Sequence, residues 1–319
     1  MSTSLIDFST AEPRSPEDGG LGRQRSHVGE NLIKAVLFSA ALLSVAATVG
    51  IVIALLEPTF EFFGEVSPLE FLTGTDWAPL FADAKFGVLP LVAGTLLITL
   101  IAMLVAIPLG LGAAVYLSEY AKPGTRRVLK PVLEVLAGVP TVIYGLFALA
   151  AVTPFLQKYW PIGDGPDIFN ALSAGLVMGI MIIPTIASLS EDAMSAVPSA
   201  LRDGAYALGS SQMQVATKVV VPAALSGIVA AFVLGISRAL GETMIVAIAA
   251  GGQPNLSWNP LKGMQTMTAF IAAAGIGDQP TGTIGYQTIF AVGSLLFVLT
   301  FLMNIVSIRL VRKYREVYE

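Results

Sequence analysis

Gly235-Ile-Ser-Arg-Ala-Leu-Gly-Glu-Thr-Met244 places an arginine and a glutamate in the middle of residues 223–250, where no other residue is charged. About 20 apolar residues cross a bilayer as a helix, so this run is long enough to span one. Continued as a single helix, it sets Arg238 and Glu242 four residues apart on one face. A charge at the bilayer centre costs at least ~2.5 kcal/mol even on the mildest scale, so such residues face a bundle interior or a polar pathway. The bland reading is a pair that only neutralises itself. Two charges in low dielectric seldom recover their desolvation, which favours a passage for a charged solute instead.

Five further apolar runs have spanning length: residues 32–56, 88–117, 132–156, 171–189 and 284–306. The second contains Pro108 and the fourth Pro184, each of which frees a carbonyl that neighbours must satisfy. No run alternates with period two, which excludes a barrel. The composition agrees: 55% hydrophobic and only 13% charged, against about a quarter charged in soluble domains. Residues 1–30, mixed in charge and rich in Ser, Pro and Gly, read as a disordered cytoplasmic tail, and residues 31–319 as one all-α membrane domain of six helices.

Of 18 Lys and Arg, Lys85, Lys158 and Lys262 fall in the loops after the first, third and fifth runs, and Arg238 lies within a run. The rest flank the other side, with clusters at Lys122, Arg126, Arg127, Lys130 and at Arg309, Arg312, Lys313, Arg315. The positive-inside rule puts that side, and both termini, in the cytoplasm. Trp77, Trp160 and Trp258 all fall in the outward loops, where interfacial anchoring is the simplest reading. Residues 264–274 read as a short helix on or within the membrane. Glu191 and Asp192 fall at a membrane exit, where solvent or a partner would meet them.

Several functions are excluded by what is missing. The sequence contains no cysteine, and its one histidine, His27, falls in the tail. No thiolate chemistry, histidine triad or Cys/His metal site can be built from these residues, so an intramembrane hydrolase is disfavoured. G-x-x-x-x-G-K-[ST] is absent, so the chain carries no P-loop. No internal repeat marks it as a secondary carrier, and a net charge of −4 without a sustained basic patch disfavours nucleic acid.

Between the fourth and fifth runs, residues 190–222 form a regular loop. Pro198 onward reads as a short helix with Leu201, Ala205 and Leu208 on one apolar stripe. Gly209 suits a helix C′ position. Ser211 and Gln214 have capping-box spacing for a second helix that ends near Pro222. A helix–Gly–helix elbow with a smooth surface of Gly204, Ala205 and Ala207 is a form that docks into a partner's groove.

Asp203-Gly-Ala205, Gly209 and Val219-Val-Val-Pro222 carry a resemblance. Their intervals match the "EAA" loop of ABC importer permeases: Glu-Ala-Ala, three residues, Gly, nine residues, Ile-x-Leu-Pro. Asp203 and Gly204 stand for Glu and Ala, and Val219 and Val221 for the aliphatics. Arg238-Ala-Leu-Gly-Glu-Thr-Met244 and Gly138-Val-Pro-Thr-Val-Ile-Tyr-Gly145 resemble stretches of the phosphate-specific transport permeases, the PstC family. Thr141 replaces the usual Ser of the second stretch. The likeness spans the second to sixth runs.

The resemblance implies a six-helix type I ABC importer permease in the cytoplasmic membrane, with no catalytic residues and no metal site. Its implied cargo is inorganic phosphate, the alternative being another oxyanion such as sulfate or molybdate. Implied partners are a homologous PstA-like permease, a pair of PstB-like ATPases that use ATP and Mg, and a PstS-like extracytoplasmic phosphate-binding protein. Arg238, Glu242, Thr141 and Tyr144 would line the substrate pathway. Leu201, Asp203, Gly204, Ala205, Leu208, Gly209 and Pro222 would couple to the ATPase, moving the fifth span.

Overall fold

The computed structural model describes residues 27–313 other than 82, 162 and 278. The expected tail lies outside these residues up to position 26, while residues 27–30 are already helical. Helix α1 is His27–Glu65. Contacts divide the chain into residues 1–52 and residues 53–319; the first unit is described only as the opening, strongly apolar part of α1.

The second unit begins with the end of α1, helix α2 (Pro68–Thr73) and a two-residue ribbon, β1 (Trp77–Ala78) against β2 (Lys85–Phe86). The ribbon is antiparallel, with Trp77 opposite Phe86. Helix α3 (Leu89–Val115) continues through a π-helical turn at Tyr116–Tyr120. Helix α4 (Pro123–Ala137) is amphipathic and separate. Helices α5 (Thr141–Phe147) and α6 (Thr153–Tyr159) join through a second π turn at Ala148–Val152. Helix α7 (Ala171–Ser195) opens on Asn170, whose side chain accepts from the Ser173 amide.

The elbow follows as α8 (Ser199–Ala207) and α9 (Gln212–Val215). A third π turn at Ala216–Val220 and α10 (Val221–Ala223) lead to α11 (Leu225–Leu240) and α12 (Met244–Ala249). Helices α13 (Met267–Ile276) and α14 (Ile284–Lys313) complete the unit. Among the described residues, five helices are long and apolar enough to cross a membrane. The count reaches six with the pair Gln212–Ala223 and Leu225–Leu240, bent by 72°, taken as one crossing.

Two expected spans are corrected. The third does not run over residues 132–156; it starts at Thr141, because Gly138 ends α4 and Pro140 drives Val139 out of the α region. The fifth is not one helix over residues 223–250: it bends at Ala224 and breaks at Gly241–Thr243. Pro108 and Pro184, in contrast, are accommodated within α3 and α7.

Helices α3 and α7 form the densest seam of the unit. At Gly175 a Cβ would sit 2.7 Å from the side chain of Ile101, and at Gly179 2.9 Å from the carbonyl of Ala102. Glycine there lets the backbones close to a distance that no side chain would allow. Ile98, Ala102, Met178, Met181 and Ile182 pack around the seam, joined by Ile245 and Val246 of α12. A second cluster gathers Phe62, Phe71, Trp77, Leu91 and Phe270. Trp77 is thus a core residue, edge-on to Phe71 and Phe270, rather than an interfacial anchor. Trp258 is the exposed one of the three. Helix α13 is the expected short helix, capped by Thr266 and half sunk into the second cluster. The third cluster, around Met194, Val215, Val220 and Ile228, underlies the elbow.

Candidate functional site

The elbow forms as its local chemistry dictates. Gly209 takes φ of 82°, a left-handed position where a Cβ is penalised, and reverses the chain after α8. Ser211 accepts from the Gln214 amide while the Gln214 side chain accepts from the Ser211 amide, completing a capping box. The expected apolar stripe divides. Leu201 and Ala205, half-buried, pack inward on the third cluster. Leu208, 89% exposed, stands out at the tip. Asp203, Gly204, Gly209 and Tyr206 are exposed around it, and Pro222 opens α10 at the far end.

Two ionic joints fasten this end of the bundle, and neither was visible in sequence pattern. Arg202 of α8 reaches Glu119 in the π turn after α3, with Nη2 3.0 Å from Oε1. The same guanidinium donates to the carbonyls of Val197 and Met194, both at 2.7 Å. Glu191 is fully buried rather than solvent-facing, and accepts from Arg126 and from Lys130 of α4 and from Ser195. Asp192 takes the other contact of Lys130. Hydrogen bonds to Asp192 and then Glu191 raise the Lys130 ammonium above its usual range. The missed partners lie about 60 to 80 residues apart in sequence, beyond any helical period.

The charged pair of the fifth span is held apart. Arg238 lies in the last turn of α11, where a cation is favourable. Glu242 lies past the helix end, and its carboxylate accepts from the amides of Met244 and Ile245, capping α12 at 3.1 and 3.3 Å. Its own carbonyl accepts from Thr268 at 2.6 Å. Arg238 and Glu242 form no ion pair among the described residues. The i to i+4 geometry required a continuous helix, and Gly241 ends it. Arg238 is instead half-buried and donates through Nη1 to the Thr185 hydroxyl of α7 at 3.2 Å.

Thr141 starts α5 and is half-buried. Tyr144, one turn on, donates its hydroxyl to the carbonyl of Leu136 at 3.0 Å, bridging the gap between α4 and α5. Its ring packs on the main core cluster. At Gly145, α5 and α12 meet so closely that a Cβ would lie 3.0 Å from Ile248. The expected pathway residues are spread over α5, the last turn of α11 and the break after it, with Tyr144 already engaged in structure. Away from the elbow, the loops leave an open cavity of ≈ 720 Å³ with Gln157, Asp167, Phe169 and Gln253 in its wall.

A discontinuous crossing that carries an arginine thus follows directly on a glycine-hinged elbow. Residues 106–315 match the model of the binding-protein-dependent transport system inner membrane component family, and the chain belongs to that family. It is an ABC importer permease with the type I fold, a multi-pass component of the inner membrane. Over 92% of its length it is 36% identical to the probable ABC transporter permease protein YqgH of Bacillus subtilis (strain 168), covering 94% of that protein. It is 33% identical to the phosphate transport system permease protein PstC of Xylella fastidiosa (strain 9a5c), covering 85% of this chain and 90% of that one. In fold it resembles a chain of a bacterial alginate ABC transporter solved with its pentasaccharide-bound periplasmic protein. The TM-score is 0.63 at 17% identity, over 90% of this chain and 96% of that one.

Proposed function

We propose that this permease passes inorganic phosphate into the cytoplasm, and that Arg238 is the residue that receives the anion. One observation carries the reading: Arg238 is half-buried beside a broken crossing and, among the described residues, bound to a single neutral hydroxyl, with its neighbouring carboxylate turned away to cap α12. A guanidinium so placed keeps donors free for phosphate oxygens, which its planar fork fits. Broken crossings are where transporters place such sites. The 33% identity to proteins named as phosphate transport permeases supports phosphate as the cargo. A single, partly hydrated cation also binds weakly enough to let the ion leave.

In this reading both termini face the cytoplasm. The tip of the elbow, with Leu208, Asp203, Gly204 and Gly209, docks to one of two ATPase subunits that use ATP and Mg. A second, PstA-like permease completes the pore, and a PstS-like binding protein delivers phosphate from outside. This chain contributes gating and binding without bond-making chemistry. The test is reconstitution with those partners in liposomes, measuring uptake of phosphate, sulfate and molybdate and the ATP hydrolysis each stimulates. Phosphate should dominate both readouts. Sulfate or molybdate dominating would reassign the cargo and keep the class.

A further inference from the structure

The elbow is joined to the bundle in two ways. One is covalent: α9 and α10 lead directly into α11, which carries Arg238. The other is ionic and runs through Arg202. All three guanidinium nitrogens of Arg202 donate: Nε to the Glu119 carboxylate at 3.3 and 3.4 Å, Nη2 to Glu119 and to the Met194 carbonyl, Nη1 to the Val197 carbonyl. Glu119 also accepts from the Ser118 hydroxyl, and its backbone carbonyl accepts from the Gln212 side chain of α9. Both limbs of the elbow thus close on one residue at the end of α3, and Arg202 also holds the Met194 carbonyl in the last turn of α7 and the Val197 carbonyl just beyond it.

The Glu119 side chain is only 4% exposed and that of Arg202 19%. A pair so dry has a fixed direction, because the carboxylate has little water to exchange for the guanidinium. The packing of Leu201 and Ala205 on the third cluster is non-directional and tolerates sliding. Resistance of α8 to displacement along the bundle end therefore falls on the Arg202 fork.

We propose that Arg202, held by Glu119, is the positioning residue that makes α3 and α7 move with the elbow. At the anion site proposed above, Arg238 on α11 meets Thr185 on α7. Motion of the elbow reaches α11 through the chain and α7 through this ion pair, so the pair sets whether the two helices move in step. The proposal rests on the assignment of the elbow as the motor contact.

The test uses the complete importer in liposomes and reads anion taken up per ATP hydrolysed, with whichever oxyanion the parent takes. A wrong cargo assignment therefore leaves this readout intact. Arg202→Gln and Glu119→Gln should co-purify with the ATPase as the parent does, yet lose about tenfold or more of the uptake per ATP, within the usual span of coupling factors. Arg202→Lys should recover part of it, and the double Gln variant should be no worse than either single one, the mark of two residues acting as one. An unchanged uptake-to-ATP ratio in the single Gln variants would overturn the proposal. So would a loss confined to ATPase association.

A second measurement is independent of folding damage. Glu119→Cys and Arg202→Cys can be bridged by a short bifunctional thiol reagent, since the chain has no other cysteine. Bridged importer that still pumps supports a joint that stays closed through the cycle. Importer arrested by the bridge requires the joint to open, and refutes it.

Discussion

Arg202 and Arg238 are both arginines on helices of the same unit, and their surroundings differ in every term that matters. Arg202 faces a buried carboxylate and two backbone carbonyls, with every nitrogen engaged. Arg238 has, among the described residues, one hydroxyl. The first has its donors committed to protein, and removing it strands an acid that is 4% exposed. The second, on the proposed reading, keeps its donors for something that is not protein. A buried charge used for architecture is surrounded by its own partners, and one used for transport is left short of them.

The sharpest way to break this comparison is Arg238→Gln. Uptake should fall by on the order of 100-fold or more, the cost of removing one side of a charged contact, while the melting temperature of the purified chain stays where it was. A clear loss of melting temperature would make Arg238 another architectural arginine.

Glu191→Ala tests the opposite end, because it leaves Arg126 and Lys130 facing a void. Thermal unfolding in detergent should show a loss of about 3 kcal/mol, at the low end for broken buried pairs because both cations keep some access to water. A further contrast lies within α8. Leu201→Asp puts a charge against the third cluster and should destabilise the chain by about 2 kcal/mol. Leu208→Asp, at the exposed tip, should leave stability unchanged but weaken ATPase association about tenfold, as loss of one well-buried apolar contact does. Equal effects from the two would mean that the tip is not the docking surface.

The smallest effect is on pH. Lys130 is raised above its ordinary 10.5 by Asp192 and Glu191. A raised folded value contributes stability that is complete below 10.5 and lost as pH climbs through the folded value. Melting temperature should therefore show no Lys130-dependent change between pH 7 and 9. Above 10.5 the wild type should fall towards a Lys130→Met variant.

Where signals were local, the sequence was readable. Gly209, Ser211 and Gln214 specify the elbow within six residues, and each takes the predicted conformation. The breaks were harder to see, because hydropathy averages over them. Gly138-Val-Pro140 lies inside an apolar run and ends a helix all the same, since the Pro140 ring constrains Val139 whatever the lipid prefers. Gly241 and Thr243 flank Glu242, and reading the glutamate as a cap for α12 would have divided the fifth span. Position alone could not reveal that Leu201 faces inward, because one turn of helix has the same period whichever face is buried. The partners of Arg202 and Glu191 are set by packing over long sequence distances. No pattern in a single sequence encodes those distances.

The Gly175 and Gly179 contacts give the protein an internal length standard. Backbones this close leave no slack between them, so α3 and α7 are expected to travel as one body whenever the pore changes state. Spin labels at Leu104 and Ile180, both outward-facing on those helices, should report one distance in every nucleotide state. A label at Leu234 on α11 can then be read against that fixed baseline, and any change in its distance belongs to the fifth span alone.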